Sequence, residues 1–169
     1  MRKVKDLRKW IAYYDEADRL TEEVALALEY FKEGITSEEE VDEAYARAIT
    51  LFEEVELKNM LRAEEDSLGA VLKINAGAGG TESQDWASML ARMYARYCDK
   101  QGYKTTITNW QDGEEAGIKT MTMQVEGDQA YGFLKSETGV HRLVRISPYN
   151  AQGKRMTSFA SVFVVPLVD

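Results

Sequence analysis

Ser136-Glu-Thr-Gly-Val-His-Arg-Leu-Val-Arg-Ile-Ser-Pro-Tyr-Asn-Ala-Gln-Gly-Lys-Arg-Met-Thr-Ser-Phe159 is the stretch from which the fold can be read. Val140, Leu143, Val144 and Ile146 are strand formers. From Ser158 to Val165 small or polar residues alternate with apolar ones, a second strand pattern. Between the two lies Ser147-Pro-Tyr-Asn-Ala-Gln-Gly-Lys-Arg155, where Pro, Asn and Gly mark a loop. The pattern predicts a hairpin with a long tip. Hairpin loops usually run to two to five residues, and longer ones tend to carry function.

Working back from the hairpin, Asp128 to Lys135 reads as a short helix despite Gly132. Ile118 to Val125 is a strand, with Ile118, Thr120, Thr122 and Gln124 alternating against Lys119, Met121, Met123 and Val125. Tyr103 to Gln111 is another strand, and Asp112 to Gly117 turns the chain between them. Before these, Trp86, Met89, Leu90, Met93, Tyr94, Tyr97 and Cys98 mark one face of a helix that Gly102 ends. Thr81 with Gln84 offers a capping box at its start. Ala70 to Asn75 is a short strand that leads into the glycine-rich run Ala76 to Gly80.

The first part differs in kind. Residues 2–33 keep a helical spacing through Val4, Leu7, Ile11, Tyr14, Ala17, Leu20, Val24, Leu28 and Phe31, and Gly34 ends it. Thr36/Glu39 or Ser37/Glu40 can cap a second helix whose stripe is Val41, Ala44, Tyr45, Ala48, Phe52 and Val55. The expected fold class is therefore α+β. An N-terminal antiparallel helical hairpin, residues 1–68, is followed by a mainly antiparallel sheet with helices on one face, residues 70–169. Ser67-Leu68-Gly69 is the expected joint. Two helices alone have little core, so they should pack on something else.

Composition sets the class. Apolar residues make up 44% and charged residues 30% of 169, ordinary for a globular protein. No apolar run approaches the ~20 residues of a bilayer span, and the start lacks a signal-peptide core. The single cysteine, Cys98, rules out an internal disulfide framework and fits a reducing, cytoplasmic location. One histidine and one cysteine give no metal-ligand spacing, and no cofactor is expected. His141 lacks a nucleophile and orienter around it and reads as a strand histidine with a local hydrogen bond. The glycine-rich run has neither a Walker lysine nor the dinucleotide G-x-G-x-x-G pattern.

The formal charge is −8, but unevenly spread. Residues 1–68 hold 10 basic and 19 acidic side chains, a net of −9, whereas residues 69–169 hold 11 and 10. Within the second part, Lys135 to Arg155 carries five cations against Glu137 alone. Cations for phosphate, the hydroxyl of Ser147 beside a stiffening Pro148, and an aromatic Tyr149 together suit a reader of single-stranded RNA. A solvated loop with ordinary basic residues has the same composition, so chemistry alone leaves both readings open.

Several motifs narrow the choice. Gly77-Ala-Gly-Gly-Thr-Glu-Ser-Gln-Asp-Trp-Ala87, Glu115-Ala-Gly-Ile-Lys-Thr120, Gly139-Val-His-Arg-Leu-Val-Arg-Ile-Ser-Pro148 and Thr157-Ser-Phe-Ala-Ser161 closely resemble bacterial class I peptide chain release factors. The resemblance is dense over 70–169 and looser over 1–69. Ser147-Pro148-Tyr149 resembles the Ser-Pro-Phe of the type 2 branch, which reads UAA and UGA, whereas type 1 members carry Pro-x-Thr there. The resemblance implies a part of a translation termination factor. Its partners would be the ribosomal decoding site with its mRNA stop codon and rRNA, and the release-factor domains missing here; no membrane is implied. The family's hydrolytic Gly-Gly-Gln is absent, since Gly79-Gly80 precedes Thr81. This chain is accordingly expected to recognise without catalysing.

The same resemblance assigns roles by position. Gly80, Thr81 and Glu82 would meet the first base, uridine, where an amide donor and an acceptor select against cytosine. A wrong base would leave buried polar groups unpaired, at ~1–3 kcal/mol each. Ser147, presented by Pro148, would serve either purine at the second base. Tyr149 stands for Phe. Met156 stands where the family commonly has His, and it can pack on a base but donates no hydrogen bond. Thr157 matches a threonine that contacts codon bases, and Val144 a valine implicated in third-base selection. Arg142, Arg145, Lys154 and Arg155 are the candidate phosphate contacts. A free-standing, non-catalytic ribosome- or RNA-binding module and an acidic helical tether acting through protein partners are the alternatives.

Overall fold

The structure, a computed structural model, describes residues 2–168, with side chains from Val4 onward. Met1 and Asp169, the outer ends of the expected units, lie outside the described residues. The chain divides into two compact units that meet between Met60 and Leu61, not at Ser67–Gly69.

The first unit is a pair of helices, α1 (Arg2–Lys32) and α2 (Glu38–Met60). Gly34 takes φ +73, which ends α1 without the steric cost other residues meet there. The Ser37 hydroxyl accepts the Glu40 amide at 3.4 Å and opens α2. The pair is antiparallel. Arg47 meets Glu23 at 2.6 Å, and at the other end Lys58 donates to the Tyr13 hydroxyl and lies over the Tyr13 ring. Leu20, Ala44 and Ala48 are buried, whereas Val4, Leu7, Ile11 and Tyr14 stand exposed along α1, and Tyr45 and Phe52 along α2. Small alanines let the backbones approach; the large apolar residues keep much of their surface in water.

The second unit is a five-stranded, wholly antiparallel sheet in the order β2-β3-β1-β5-β4. Its strands are β1 (Ala70–Ala76), β2 (Lys104–Asp112), β3 (Ile118–Glu126), β4 (Gly139–Ile146) and β5 (Arg155–Pro166). Helices α3 (Thr81–Gln101) and α4 (Ala130–Leu134) cover one face. Leu72, Ile74, Leu90, Met121, Met123, Val125, Val162 and Cys98 form the sealed centre. Each large apolar side chain buried this way contributes ~1.5–3 kcal/mol.

Two details depart from the period read in the sequence. Lys119 is an extra residue on β3, since Gln111 faces Thr120 while Asp112 faces Ile118. That bulge shifts the alternation by one, so Ile118 joins Met121, Met123 and Val125 in the core. On α3 the innermost line runs through Ala87, Leu90, Ala91, Tyr94 and Cys98, and Met93 is 48% exposed. Here too alanines permit close packing on the sheet, which rotates the methionine outward.

Residues 61–68 belong to the second unit. A 3-10 turn, Glu64–Ser67, holds the buried Asp66, whose carboxylate accepts from Lys135 at 2.7 Å and from the Ala63 amide at 3.1 Å. The Tyr131 amide donates to the Leu68 carbonyl at 3.0 Å.

Candidate nucleic-acid interface

The site forms where the first turn of α3 meets the tip of the β4–β5 hairpin. Gly77 and Gly79 approach α3 where there is no room for a side chain, whereas Gly80 is required by its positive φ alone. A Cβ on Gly79 would lie 2.8 Å from the Ser158 Cβ, and Gly79 already sits at φ +127. The Gly77 amide donates to the Phe159 carbonyl and the Phe159 amide to the Ala78 carbonyl, so the run prolongs the β1–β5 pairing before turning into the helix. Alternation on β5 puts Ser158 and Ala160 inward beneath this crossing and Phe159 outward.

Gly80 is the N-cap, at φ +58 and without a side-chain cap. The capping box expected from Thr81 and Gln84 is therefore not used. Thr81 is already inside the helix, and its hydroxyl donates to Glu115 at 3.2 Å. The Gln84 side chain accepts the Glu114 amide at 3.3 Å. The β2–β3 turn thus braces the helix start, which gives Glu115 of the Glu115-to-Thr120 motif its contact. Ser83 completes the turn by donating to the carbonyls of Gly77 and Gly80 at 2.9 and 2.7 Å. The amides of Thr81 and Glu82 lie in the first helical turn, where no intrahelical acceptor exists for them.

The Glu82 side chain turns inward and is 3% exposed. One oxygen accepts from Arg145 Nε at 2.6 Å, and the other accepts from Arg145 Nη2 at 3.1 Å and from the Ser147 hydroxyl at 2.6 Å. Arg145 also donates to Asp85 at 2.6 Å. The Arg145 guanidinium holds the Glu82 carboxyl below its usual range against the opposing effect of burial, with Ser147 adding to the lowering. Hydrogen bonding to Glu82 in turn holds Arg145 firmly charged. Asp85 was not singled out from the sequence. Its place three residues after Glu82, on the same helix face, is the signal that points to it.

The tip is two linked turns. The Asn150 amide donates to the Ser147 carbonyl at 3.2 Å, with Pro148 in the second position, and the Gly153 amide donates to the Asn150 carbonyl at 3.0 Å. The Ser147 hydroxyl also accepts the Tyr149 amide at 3.1 Å, and the Asn150 side chain accepts the Gln152 amide at 3.0 Å. The Asn150 side-chain amide approaches the Met156 sulfur at 3.1 Å. Pro148 and Tyr149 project outward, while Ser147 is 3% exposed.

The candidate residues fall into three groups. Gly80, Thr81, Glu82, Arg145 and Ser147 come together at one end of α3. Met156 pairs with Arg145 across the hairpin, on the helix-facing side of the sheet. Val144 and Thr157 pair with each other on the reverse side. Arg142, Lys154 and Arg155 are exposed and form no ion pair among the described residues. Arg145, expected with those cations, is instead committed inward. His141 Nε2 lies 2.8 Å from the Glu137 carbonyl, and the Trp86 indole donates to the His141 carbonyl at 2.9 Å, anchoring β4 on α3. Among the described residues no cluster of three metal-ligating side chains occurs, and no helix is long and apolar enough to cross a membrane.

Comparison with known proteins places this architecture. The PCRF domain pattern matches residues 1–162. A protein named peptide chain release factor 2 from Helicobacter pylori (strain P12) is 47% identical over 168 residues, covering 99% of this chain and 43% of its own. Its namesake in Roseobacter denitrificans is 60% identical over 114 residues, covering 68% of this chain and 30% of its own. The solved structure of RF2 of Thermus thermophilus superposes with a TM-score of 0.75 at 38% identity, over 99% of this chain and 48% of that one. The chain thus spans less than half the length of each of these relatives. Fold, motifs and likeness agree, and the chain belongs to the PCRF-domain family, together with proteins named peptide chain release factor 2.

Proposed function

We propose that this chain is the stop-codon recognition part of a translation termination factor that reads UAA and UGA on the bacterial ribosome. The observation that carries the reading is the junction of the α3 start with the Ser147-Pro148-Tyr149 tip. There, unmatched helix amides and a hydroxyl-bearing loop share one rigid support. Loop donors and acceptors read bases only if held still, and the Arg145–Glu82–Ser147 linkage supplies that.

In this reading the amides of the first α3 turn, with Gly80 giving close access, meet the uridine at the first position. Glu82 acts through its carboxylate on Ser147 and Arg145, and so positions the tip. Ser147 is assigned to the second purine. Its hydroxyl, which without RNA donates to Glu82 from a buried position, turns from that carboxylate to the base on binding, with Pro148 fixing its backbone and Tyr149 and Met156 packing beside the bases. Thr157 and Val144 serve the later part of the codon from the reverse face of the hairpin. Arg142, Lys154 and Arg155 meet phosphates. In this reading its partners are the ribosome and, by likeness to relatives more than twice its length, further release-factor domains that would carry out peptide release, in the cytoplasm.

The test is a chimaera. This chain replaces the matching segment of the Helicobacter pylori relative, and release of formyl-methionine is measured on programmed ribosomes. Release at UAA and UGA but not at UAG is expected. Release at all three codons, or at UAG in place of UGA, contradicts the reading.

A further inference from the structure

Away from the hairpin tip, α3, α4 and the 3-10 turn Lys135–Glu137 line a half-open pocket of about 240 Å³. Its lining is Met93, Tyr94, Tyr97, Phe133, Leu134 and Glu137. Three of the six side chains are aromatic, one is a polarizable thioether, and one is a carboxylate.

The carboxylate is short of positive charge. Its partner among the described residues is the Tyr94 hydroxyl, which donates to Glu137 Oε2 at 2.7 Å. Burial first, and then Glu137, push the Tyr94 phenol up, so it stays a neutral donor at physiological pH. The nearest basic residue in sequence, Lys135, is turned to Asp66 at 2.7 Å. The His141 ring meets the Glu137 carbonyl, not its carboxylate. The Glu137 carboxylate forms no ion pair among the described residues, so a cation entering the pocket would meet an anion not already neutralised. Aromatic faces carry negative potential and attract an organic cation, and a thioether and leucine suit its alkyl chain.

We propose that this cavity binds an alkylammonium group, with the charged head at Glu137 and the alkyl chain against Tyr97, Phe133 and Met93. The volume of about 240 Å³ has room for a short amine chain. A free polyamine and a lysine side chain of a bound protein both carry this chemistry.

The test is an NMR titration of the 169-residue chain with n-butylammonium chloride, against sodium chloride at equal ionic strength. Saturable shifts confined to Met93, Tyr97, Phe133 and Glu137 are expected. Glu137→Gln keeps an acceptor for Tyr94 and should weaken binding about 10-fold. Tyr97→Leu removes an aromatic wall, leaves the Tyr94–Glu137 bond intact and should also weaken binding, which keeps the proposal testable if the first variant misfolds. Parallel titrations with spermidine and with a lysine-containing peptide identify the source by which saturates at lower concentration. Shifts no larger than those from sodium chloride, or equal affinity in the native chain and both variants, overturn the proposal.

Discussion

The Ser147 hydroxyl donates to the Glu82 carboxylate at 2.6 Å across 65 residues of sequence. This bond ties the turn that opens the hairpin tip to the first turn of α3. The same hydroxyl accepts the Tyr149 amide, so one side chain sets both the position of the tip and its internal turn.

Removing that hydroxyl should be felt in stability. Ser147→Ala leaves a buried carboxylate one donor short and the Tyr149 amide without its acceptor. A loss of ~1–3 kcal/mol is expected in urea denaturation, with an unchanged m-value. A change below a few tenths would mean that the bond is not formed in solution.

Arg145 should matter more than an exposed arginine. Arg145→Met strips the charge partner from a carboxylate that is 3% exposed, and a cost of ~3–5 kcal/mol is expected. Arg142→Met, on an exposed residue, should cost under ~0.5 kcal/mol. Equal losses in the two variants would contradict the inward placement of Arg145.

The pair also sets a pH dependence. Glu82 has a folded-state pKa below its ordinary value of 4.5, so the folded state favours the ionised form. Its contribution is fully present above the unfolded value, about 4.5, and fades as pH falls below that towards the lower folded pKa. Comparing native protein with Glu82→Gln isolates this residue from exposed carboxylates such as Glu114, whose pKa is also lowered. The stability gap between the two proteins should shrink on acidification from pH 5 downward and stay flat from pH 6 to 8. A gap that widens in acid would reverse the assigned sign.

Two glycines separate close approach from backbone strain. Gly153→Ala places a Cβ in open space at φ +62 and should cost about 1 kcal/mol. Gly79→Ala meets the Ser158 Cβ at 2.8 Å as well as an unfavourable φ, and should cost clearly more. Thermal unfolding of the two variants side by side decides this, and a Gly153→Ala loss equal to or above that of Gly79→Ala would sink it.

The order of elements was legible because each carries its own period and punctuation. Gly34 and Gly102 end helices, and Pro148, Asn150 and Gly153 announce the tip. The Lys119 bulge was not legible, because Ile118-Lys119-Thr120 reads as plain alternation until Asp112 claims Ile118 as its partner. The split between Met60 and Leu61 leaves no mark in the sequence for a related reason. Residues 61–68 share the acidity of the helices, but the charge of Asp66 is taken up by Lys135, 69 positions onward. At the interface, the motifs located Glu82, Arg145 and Ser147, but nothing local distinguishes an arginine facing solvent from one facing a buried glutamate. Long-range ion pairs leave no periodic trace. The i, i+3 spacing of Glu82 and Asp85 puts two carboxylates on one face of α3, but only the packed structure shows that Arg145 bridges them.

Codon discrimination by two single variants tests the central claim most directly. In the chimaera described above, Ser147→Ala removes a hydroxyl from the proposed second-base contact, whereas Lys154→Ala removes an exposed charge. For Ser147→Ala the account predicts a fall of roughly 5- to 150-fold in kcat/KM for release, together with altered UGA/UGG discrimination. For Lys154→Ala it predicts near-equal weakening at UAA, UGA and near-cognate codons and a smaller salt dependence. Unchanged discrimination and an unchanged UAA rate in Ser147→Ala, with a shifted codon preference in Lys154→Ala, would contradict it.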